Sequence, residues 1–184
     1  MRNTIAVIGL VLALGMVNWS IFAKEQHLEH GKVVYLELAP VDPRSLIQGD
    51  YMTLRFSMAN EIRKASRGDI AEAPNTKVAY ADGKAVVTLD DNKIATFHSL
   101  ASGQPPGTDQ PSSNQLELRY RVRKNRVKFA TNAFFFQEGH AAIYETARYG
   151  EFRVNDNGDV LLTALMNAEL ENLAPEDKPE EKLD

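Results

Sequence analysis

The chain has 184 residues, no cysteine and a formal net charge of -4. The lack of cysteine excludes disulfides, thiolate metal sites and a cysteine nucleophile. The negative net charge argues against a nucleic-acid partner, because domains that bind nucleic acids are usually basic. If about 20 residues serve as a membrane segment, the remainder is still long enough for one domain with its own core.

An apolar stretch, interrupted only by Asn18 and Ser20, runs from Ile5 to Ala23. Its 19 residues carry no charge, and a helix of that length spans about 28 Å, close to the thickness of the hydrocarbon core of a bilayer. A cleavable signal peptide is the competing interpretation. Its apolar region would be roughly 7 to 15 residues and would end in a small-x-small site, whereas Phe22 is bulky.

We therefore predict that residues 1–24 form a retained transmembrane anchor and that the lipid bilayer is its partner. Arg2 favours keeping the short leading segment in the cytoplasm. The rest of the chain is then expected in the periplasm or outside the cell.

Residues 25–172 predict a domain rich in β-strands. In its first part, Val33–Leu38 and Tyr51–Phe56 have strand patterns and are separated by a turn that contains prolines. Residues 57–67 have apolar positions at helical spacing. Asp82-Gly83-Lys84 lies between two apolar runs, which predicts a hairpin with its turn at these residues.

The second part of the domain begins after residues 99–115, whose prolines, glycines and polar residues predict a mobile loop. The patterns that follow predict a strand at 116–122, a helix at 137–147 and a hairpin of strands 149–154 and 160–165. Residues 173–184 are acidic and nearly devoid of apolar side chains, which predicts a disordered tail. The fold class we expect is mainly β (α+β), an antiparallel β-meander or partly open barrel with one or two short helices.

The stretch Gly49-Asp50-Tyr51-Met52-Thr53-Leu54-Arg55-Phe56 resembles the signature of the GDYXXLXY family of membrane-anchored bacterial proteins. The departure is Phe56, where the name motif has tyrosine. The upstream Pro40–Ser45 segment and a second stretch, Phe136–Val154, are similar to the same family. The resemblance implies no established activity, and it implies work beside a multi-spanning membrane protein.

Two groups of residues are candidates for a binding surface. The first comprises Asp42, Pro43, Arg44, Ser45, Gly49, Asp50, Tyr51, Leu54 and Phe56. The second comprises Glu138, His140, Tyr144, Glu145, Arg148, Tyr149 and Gly150. Each group also has a structural interpretation: the first as a rigid turn, and the second as a helix held by ion pairs of Glu145 or Glu151 with Arg148 or Arg153.

An extracytoplasmic hydrolase is the alternative function, using Glu138, His140 and Tyr144. The Pro and Gly-Asp spacing is also similar to the cleft segment of type I signal peptidases. However, the residues before the proline are Leu38-Ala39 rather than a serine and methionine, and the expected Ser/Lys pair is lacking. We assign no catalytic residue and expect no cofactor.

Histidines and basic residues give weaker signals. His27 and His30 are three apart without a third ligand, so we predict no metal site and interpret the histidines as solvated. A basic hairpin carries Arg119, Arg121, Arg123, Lys124, Arg126 and Lys128. Its simplest interpretation is a solvated strand face, and the alternatives are a surface for anionic lipid, for an acidic partner or for the chain's own acidic tail. An envelope sensor or lipid-surface binder remains a third function.

We conclude from the sequence that the favoured function is a membrane-anchored extracytoplasmic accessory or binding protein, working with a multi-spanning membrane protein.

Overall fold

The computed structural model describes residues 2–39, 51–68, 80–101, 114–124, 126–131 and 133–174. The predicted mobile loop lies mostly outside these residues, as does the acidic tail from Pro175 onward. The described helices are α1 (Arg2–His30), α2 (Ala59–Gly68) and α3 (Ala141–Tyr144). The described strands are β1 (Lys32–Glu37), β2 (Tyr51–Thr53), β3 (Tyr80–Leu89), β4 (Ala95–Leu100), β5 (Gln115–Arg123), β6 (Arg126–Lys128), β7 (Ala133–Phe135), β8 (Tyr149–Val154) and β9 (Val160–Met166).

Helix α1 is one continuous helix of 29 residues, about 43 Å long at the usual rise per residue. Its segment Val7–His30 is long and apolar enough to cross a membrane, and its apolar window is not buried against the rest of the protein. The helix extends beyond the predicted anchor, residues 1–24, through the polar residues as far as His30. Gly31 follows the last helical residue, and its amide donates a hydrogen bond to the carbonyl of His27.

Antiparallel pairing builds the rest of the domain. One sheet has the order β1-β8-β9, a second pairs β2 with β7, and a third has the order β4-β3-β5-β6. An isolated parallel bridge between Tyr35 and Ile94 links the first sheet to the start of β4, and an antiparallel bridge joins Leu38 to Phe56. The fold class is therefore mainly β with few short helices, as the sequence predicts, and the sheets form a partly open barrel.

The predicted hairpin at Asp82-Gly83-Lys84 is wrong. These three residues lie inside the ten-residue strand β3, opposite Arg121, Tyr120 and Arg119 of β5. The cross-strand environment outweighs the local turn preference because each residue has a specific partner. Asp82 and Lys84 form ion pairs with β5, and Gly83 leaves room for the ring of Tyr120, whose hydroxyl would lie 2.8 Å from an added Cβ.

Helix α2 packs against both edge strands of the four-stranded sheet, β4 and β6, which shows that this sheet curls around it. Ile62 of α2 is fully buried. The hydroxyl of Ser66 donates to the carbonyl of Ile62 at 2.8 Å and lies 3.3 Å from the hydroxyl of Tyr120 on β5. The helix therefore fills the concave side of the open barrel and contributes to its core.

Helix α3 has four residues, much shorter than the predicted helix at 137–147. The preceding run of three phenylalanines explains part of this difference. Tyr144 contacts Phe134 edge-on and Phe136 in a tilted geometry, with ring centroids 5.1 Å apart in both pairs, and Phe135 is 74 % exposed. Burial of these rings fixes an irregular segment in place of two further helical turns.

Candidate functional site

The described part of the GDYXXLXY motif, Tyr51–Phe56, contributes to the core. Tyr51 belongs to β2 and pairs with Phe135 of β7, and Met52, Leu54 and Phe56 are buried. The predicted alternation over this segment is confirmed, although the strand itself ends at Thr53. The candidates Asp42, Pro43, Arg44, Ser45, Gly49 and Asp50 lie outside the described residues.

Phe56 lies at the centre of an aromatic cluster. Its ring meets Phe129 edge-on at 5.4 Å and Phe152 at 5.6 Å between centroids. The side chain is 2 % exposed. The motif's last position thus joins the segment after β2 to β8 and to the residue after β6, and its ring packs without a hydroxyl.

The residues of the second group of candidates lie in different environments. Tyr144 is buried between phenylalanines, and this burial raises the pKa of its hydroxyl. Glu138 and Glu145 are exposed. His140 precedes α3, and its Nδ1 is buried without a hydrogen-bond partner among the described residues. A general base must lie within hydrogen-bond reach of the proton that it removes. Tyr144 packs against phenylalanine rings, whereas Glu138 and Glu145 are exposed to solvent.

The ion pairs that we predicted for this group are not formed. Glu151 of β8 instead accepts hydrogen bonds from the hydroxyls of Thr163, at 2.7 Å, and Tyr35, at 3.3 Å. Burial, followed by the charge of Glu151 and this hydrogen bond, raises the pKa of Tyr35. Arg148 is exposed, and Tyr149 is the first residue of β8. Gly150 is buried, and a Cβ added at this position would lie 3.0 Å from the ring of Phe152.

His27 was wrongly interpreted as solvated. It is 8 % exposed, and its Nε2 donates a hydrogen bond to the carbonyl of Arg153 at 2.9 Å. The guanidinium of Arg153 in turn donates to the carbonyl of Gly31 at 3.3 Å. Together His27, Gly31 and Arg153 form what we call the anchor junction, because they attach the end of α1 to β8. Histidine at this position gave no local signal, since its partner lies 126 residues away.

A groove of about 910 Å³ opens beside the edge strand β6. Its walls come from β6, from residues 53–56, from α2 and from the end of β5. We call it the cationic groove because its lining includes Arg55, Arg63, Arg121, Arg123, Arg126 and Lys128 and no acidic residue among those described. Leu54, Phe56, Val127 and Phe129 supply its apolar part.

The basic hairpin therefore divides into two parts. Arg119 pairs with Asp159 at 2.8 Å and Arg123 with Asp82 at 2.6 Å. Arg121, Arg126 and Lys128 line the groove, and within the described part of the chain no carboxylate is within ion-pair distance of them. Sequence reasoning missed Arg55 and Arg63, because they reach the same groove from distant segments.

Among the described residues, no three histidine or acidic side chains come together in a way that could hold a metal ion. His27 is already bonded to the backbone of Arg153, and His30 is exposed. The cationic groove, with six basic side chains in its lining, is chemically suited to binding anions.

Of the comparisons with known proteins, the one with protein families gives a match. The family model described as "GDYXXLXY protein" matches residues 13–165, which is most of the chain. No curated protein and no solved structure matches it. The match includes the name motif, the whole of the described β domain as far as β9 and much of α1. The chain therefore belongs to the GDYXXLXY family.

Proposed function

We propose that the chain is a membrane-anchored accessory protein whose β domain lies outside the cytoplasm and binds a multi-spanning membrane protein. Helix α1 supplies the anchor, and the β domain supplies the binding surface. The short, charged amino-terminal end stays in the cytoplasm because translocating a positive charge is disfavoured.

The observation that carries the proposal is the anchor junction. Helix α1 continues without a break to His30, and the hydrogen bonds of His27 and Arg153 then fix its end to β8. A tether that only keeps a freely acting domain near a membrane needs no such attachment. A domain that must present one face to a neighbouring membrane protein benefits from it, because a preorganised orientation lowers the entropy lost on binding.

The polar candidates of the motif give a second support. The apolar motif residues Leu54 and Phe56 are buried in the core, so they anchor the segment from within. Arg44 and Asp50, which precede them, are charged residues of the motif region. We propose that these two side chains contact the partner, since charge-assisted hydrogen bonds give an interface selectivity.

A pull-down of the full-length protein in mild detergent, read by mass spectrometry, tests the proposal. Two variants accompany the parent: a four-residue Gly-Ser insertion between His30 and Gly31, and the double variant Arg44→Ala with Asp50→Ala. The matched control carries the same insertion in the exposed turn at Asn157. Circular dichroism verifies folding of every sample.

We expect a multi-spanning protein to be retained by the parent and the control, and to be lost from both variants. The junction insertion should prevent retention of the partner because it lets the domain change its orientation relative to α1 without altering the domain surface. The proposal fails if no membrane protein is retained by the parent, or if the junction insertion and the control insertion have the same effect.

A further inference from the structure

The cationic groove holds like charges directly opposite one another. In the antiparallel register of β5 and β6, Arg121 faces Lys128 and Arg123 faces Arg126. Like charges in such positions repel and destabilise a strand pair. An anion placed among them would be attracted by every one of these side chains, so the arrangement favours binding of negative charge.

The contrast with the rest of the same sheet strengthens this point. Lys84, Arg119 and Arg123 each have a carboxylate partner at 2.6 to 2.8 Å. Arg126 and Lys128 have none among the described residues, and neither does Arg63, which donates to the amide oxygen of Asn60. Positive charge is thus balanced at Lys84, Arg119 and the groove residue Arg123. The charges of Arg63, Arg126 and Lys128 are left available at the groove, in a chain whose net charge is -4.

The size and lining of the groove indicate more than a single small anion. Its volume of about 910 Å³ is far larger than a phosphate or carboxylate group needs, and lies near the upper end of the usual range for ligand sites. Accessible apolar residues, Ala39, Ala59, Ala130 and Ala133, share the lining with the guanidinium groups, above the buried side chains of Leu54, Val127 and Phe129. A ligand that fits both must combine negative charges with apolar parts.

Strand β6 gives the groove an edge at which a further strand can pair. It is the edge of the four-stranded sheet, and in the described part of the chain no strand pairs with its outer side. An extended peptide can add to such an edge through main-chain hydrogen bonds while its alternate side chains point into the neighbouring groove. We propose that the cationic groove binds an extended acidic peptide segment of the partner protein.

The position of the groove disfavours a lipid surface as its occupant. The anchor junction lies at the start of β1, whereas Ala39, seven positions after Lys32, lines the groove. Seven residues of extended chain cover about 23 Å. The groove is therefore separated from the end of α1 by the length of a strand. At this distance, a segment of a neighbouring protein can reach it.

The test measures peptide binding to the purified full-length chain in a neutral detergent, by fluorescence anisotropy at low salt. The probe is a labelled decapeptide that alternates Glu with Val, and its counterpart alternates Gln with Val. The groove variant is Arg121→Gln with Lys128→Gln. The matched control is Arg119→Gln with Lys84→Gln, which removes the same charge from the same sheet outside the groove.

We expect the Glu peptide to bind, the groove variant to bind it about tenfold or more weakly, and the control to bind it within about twofold of the parent. Added salt should weaken binding because the attraction is screened. The proposal is wrong if the Gln peptide binds equally well, or if both variants lose the same affinity.

Three further arms separate other anions from the proposed one. Pyrophosphate or phosphatidylglycerol vesicles that bind in a groove-dependent manner, without binding of the Glu peptide, overturn the proposal. A chain that lacks residues 175–184 and binds the peptide more than tenfold better than the parent would show that the acidic tail occupies the groove. That result also overturns the proposal that the groove binds a segment of the partner.

The proposal rests on the proposed function for the identity of the partner. Because this assay uses the chain alone, its failure is distinguishable from failure of the pull-down.

Discussion

The side chain of Phe56 shows how a single motif position stabilises the domain. It contacts Phe129 and Phe152 edge-on and is almost fully buried. Removal of a buried aromatic side chain costs the free energy of its transfer from water and leaves a cavity. The role of this motif residue is therefore packing.

We expect Phe56→Ala to lower the free energy of unfolding by about 3 to 5 kcal/mol. Phe135→Ala is the matched control, since Phe135 is 74 % exposed, and it should change the free energy of unfolding by less than about 1 kcal/mol. Urea denaturation monitored by circular dichroism measures both. Equal losses in the two variants would contradict the packing role.

Two tyrosines are expected to make the domain sensitive to alkali. The pKa values of Tyr35 and Tyr144 are raised above the usual value of 10.0, the first by burial and the adjacent Glu151, the second by burial. The folded state then keeps these protons at a pH where the unfolded chain releases them. The free energy of unfolding should therefore fall as the pH rises above 10 and through the folded-state pKa values.

Absorbance at 295 nm measures this ionisation directly. In the parent, part of the tyrosine signal should titrate later than free tyrosine, and Tyr35→Phe should remove a late component. The same variant should also reduce the loss of stability above pH 10. A titration in which all tyrosines ionise together near pH 10 would show that neither hydroxyl is perturbed.

At the scale of elements, β3 shows where local sequence patterns mislead. Asp82-Gly83-Lys84 has the composition of a hairpin turn, yet the strand continues through it because β5 supplies a partner for each residue. By contrast, β5, β8 and β9 were predicted closely, since strict alternation and the turn at residues 155–158 are local signals. The pairing of β1 with β8 joins segments more than a hundred residues apart, which no local pattern reports.

The pairing of β3 with β5 leads to a prediction at acidic pH. Hydrogen bonds from the guanidinium of Arg123 lower the pKa of Asp82 below its usual 3.8. The contribution of this pair to stability is thus fully present above pH 3.8, and it is lost as the pH falls through the folded-state pKa. Carbon-13 NMR of the Asp82 carboxyl group should give a midpoint below 3.8.

Arg123→Gln should move that midpoint upward, because the neutral amide cannot provide a charge-assisted hydrogen bond. Arg126→Gln is the matched control on the adjacent strand, and it should change the midpoint less. A midpoint that is the same in the parent and in Arg123→Gln would contradict the observed pairing and the continuous strand β3.

For the whole molecule, the anchor junction decides how the β domain is held. The sequence predicts an apolar helix at the amino-terminal end of the chain, because apolar length is a local signal. It could not predict the bond from His27 to Arg153, nor the meeting of Arg55 and Arg63 with the basic hairpin, because both depend on tertiary contacts. The parts of the fold most relevant to the proposals are therefore those that the sequence reveals least.

We expect His27→Ala to loosen the junction, since it leaves the carbonyl of Arg153 without this donor and removes a buried ring. Hydrogen exchange followed by mass spectrometry should show faster exchange at residues 31–34 and 153–154. His30→Ala, at an exposed position on the same helix, should leave this exchange unchanged. Unaltered exchange in His27→Ala would show that the junction does not order the domain.

The central claim is that α1 crosses the membrane and holds the β domain outside the cytoplasm. The most direct test labels single-cysteine variants in intact spheroplasts with a membrane-impermeant maleimide, which is simple because the chain has no cysteine of its own. Glu169→Cys, at an exposed turn of the β domain, and Thr4→Cys, before the apolar segment, are the two variants. We predict that Glu169→Cys is labelled without permeabilisation and Thr4→Cys only after it; labelling of Thr4→Cys alone in intact spheroplasts would contradict the claim.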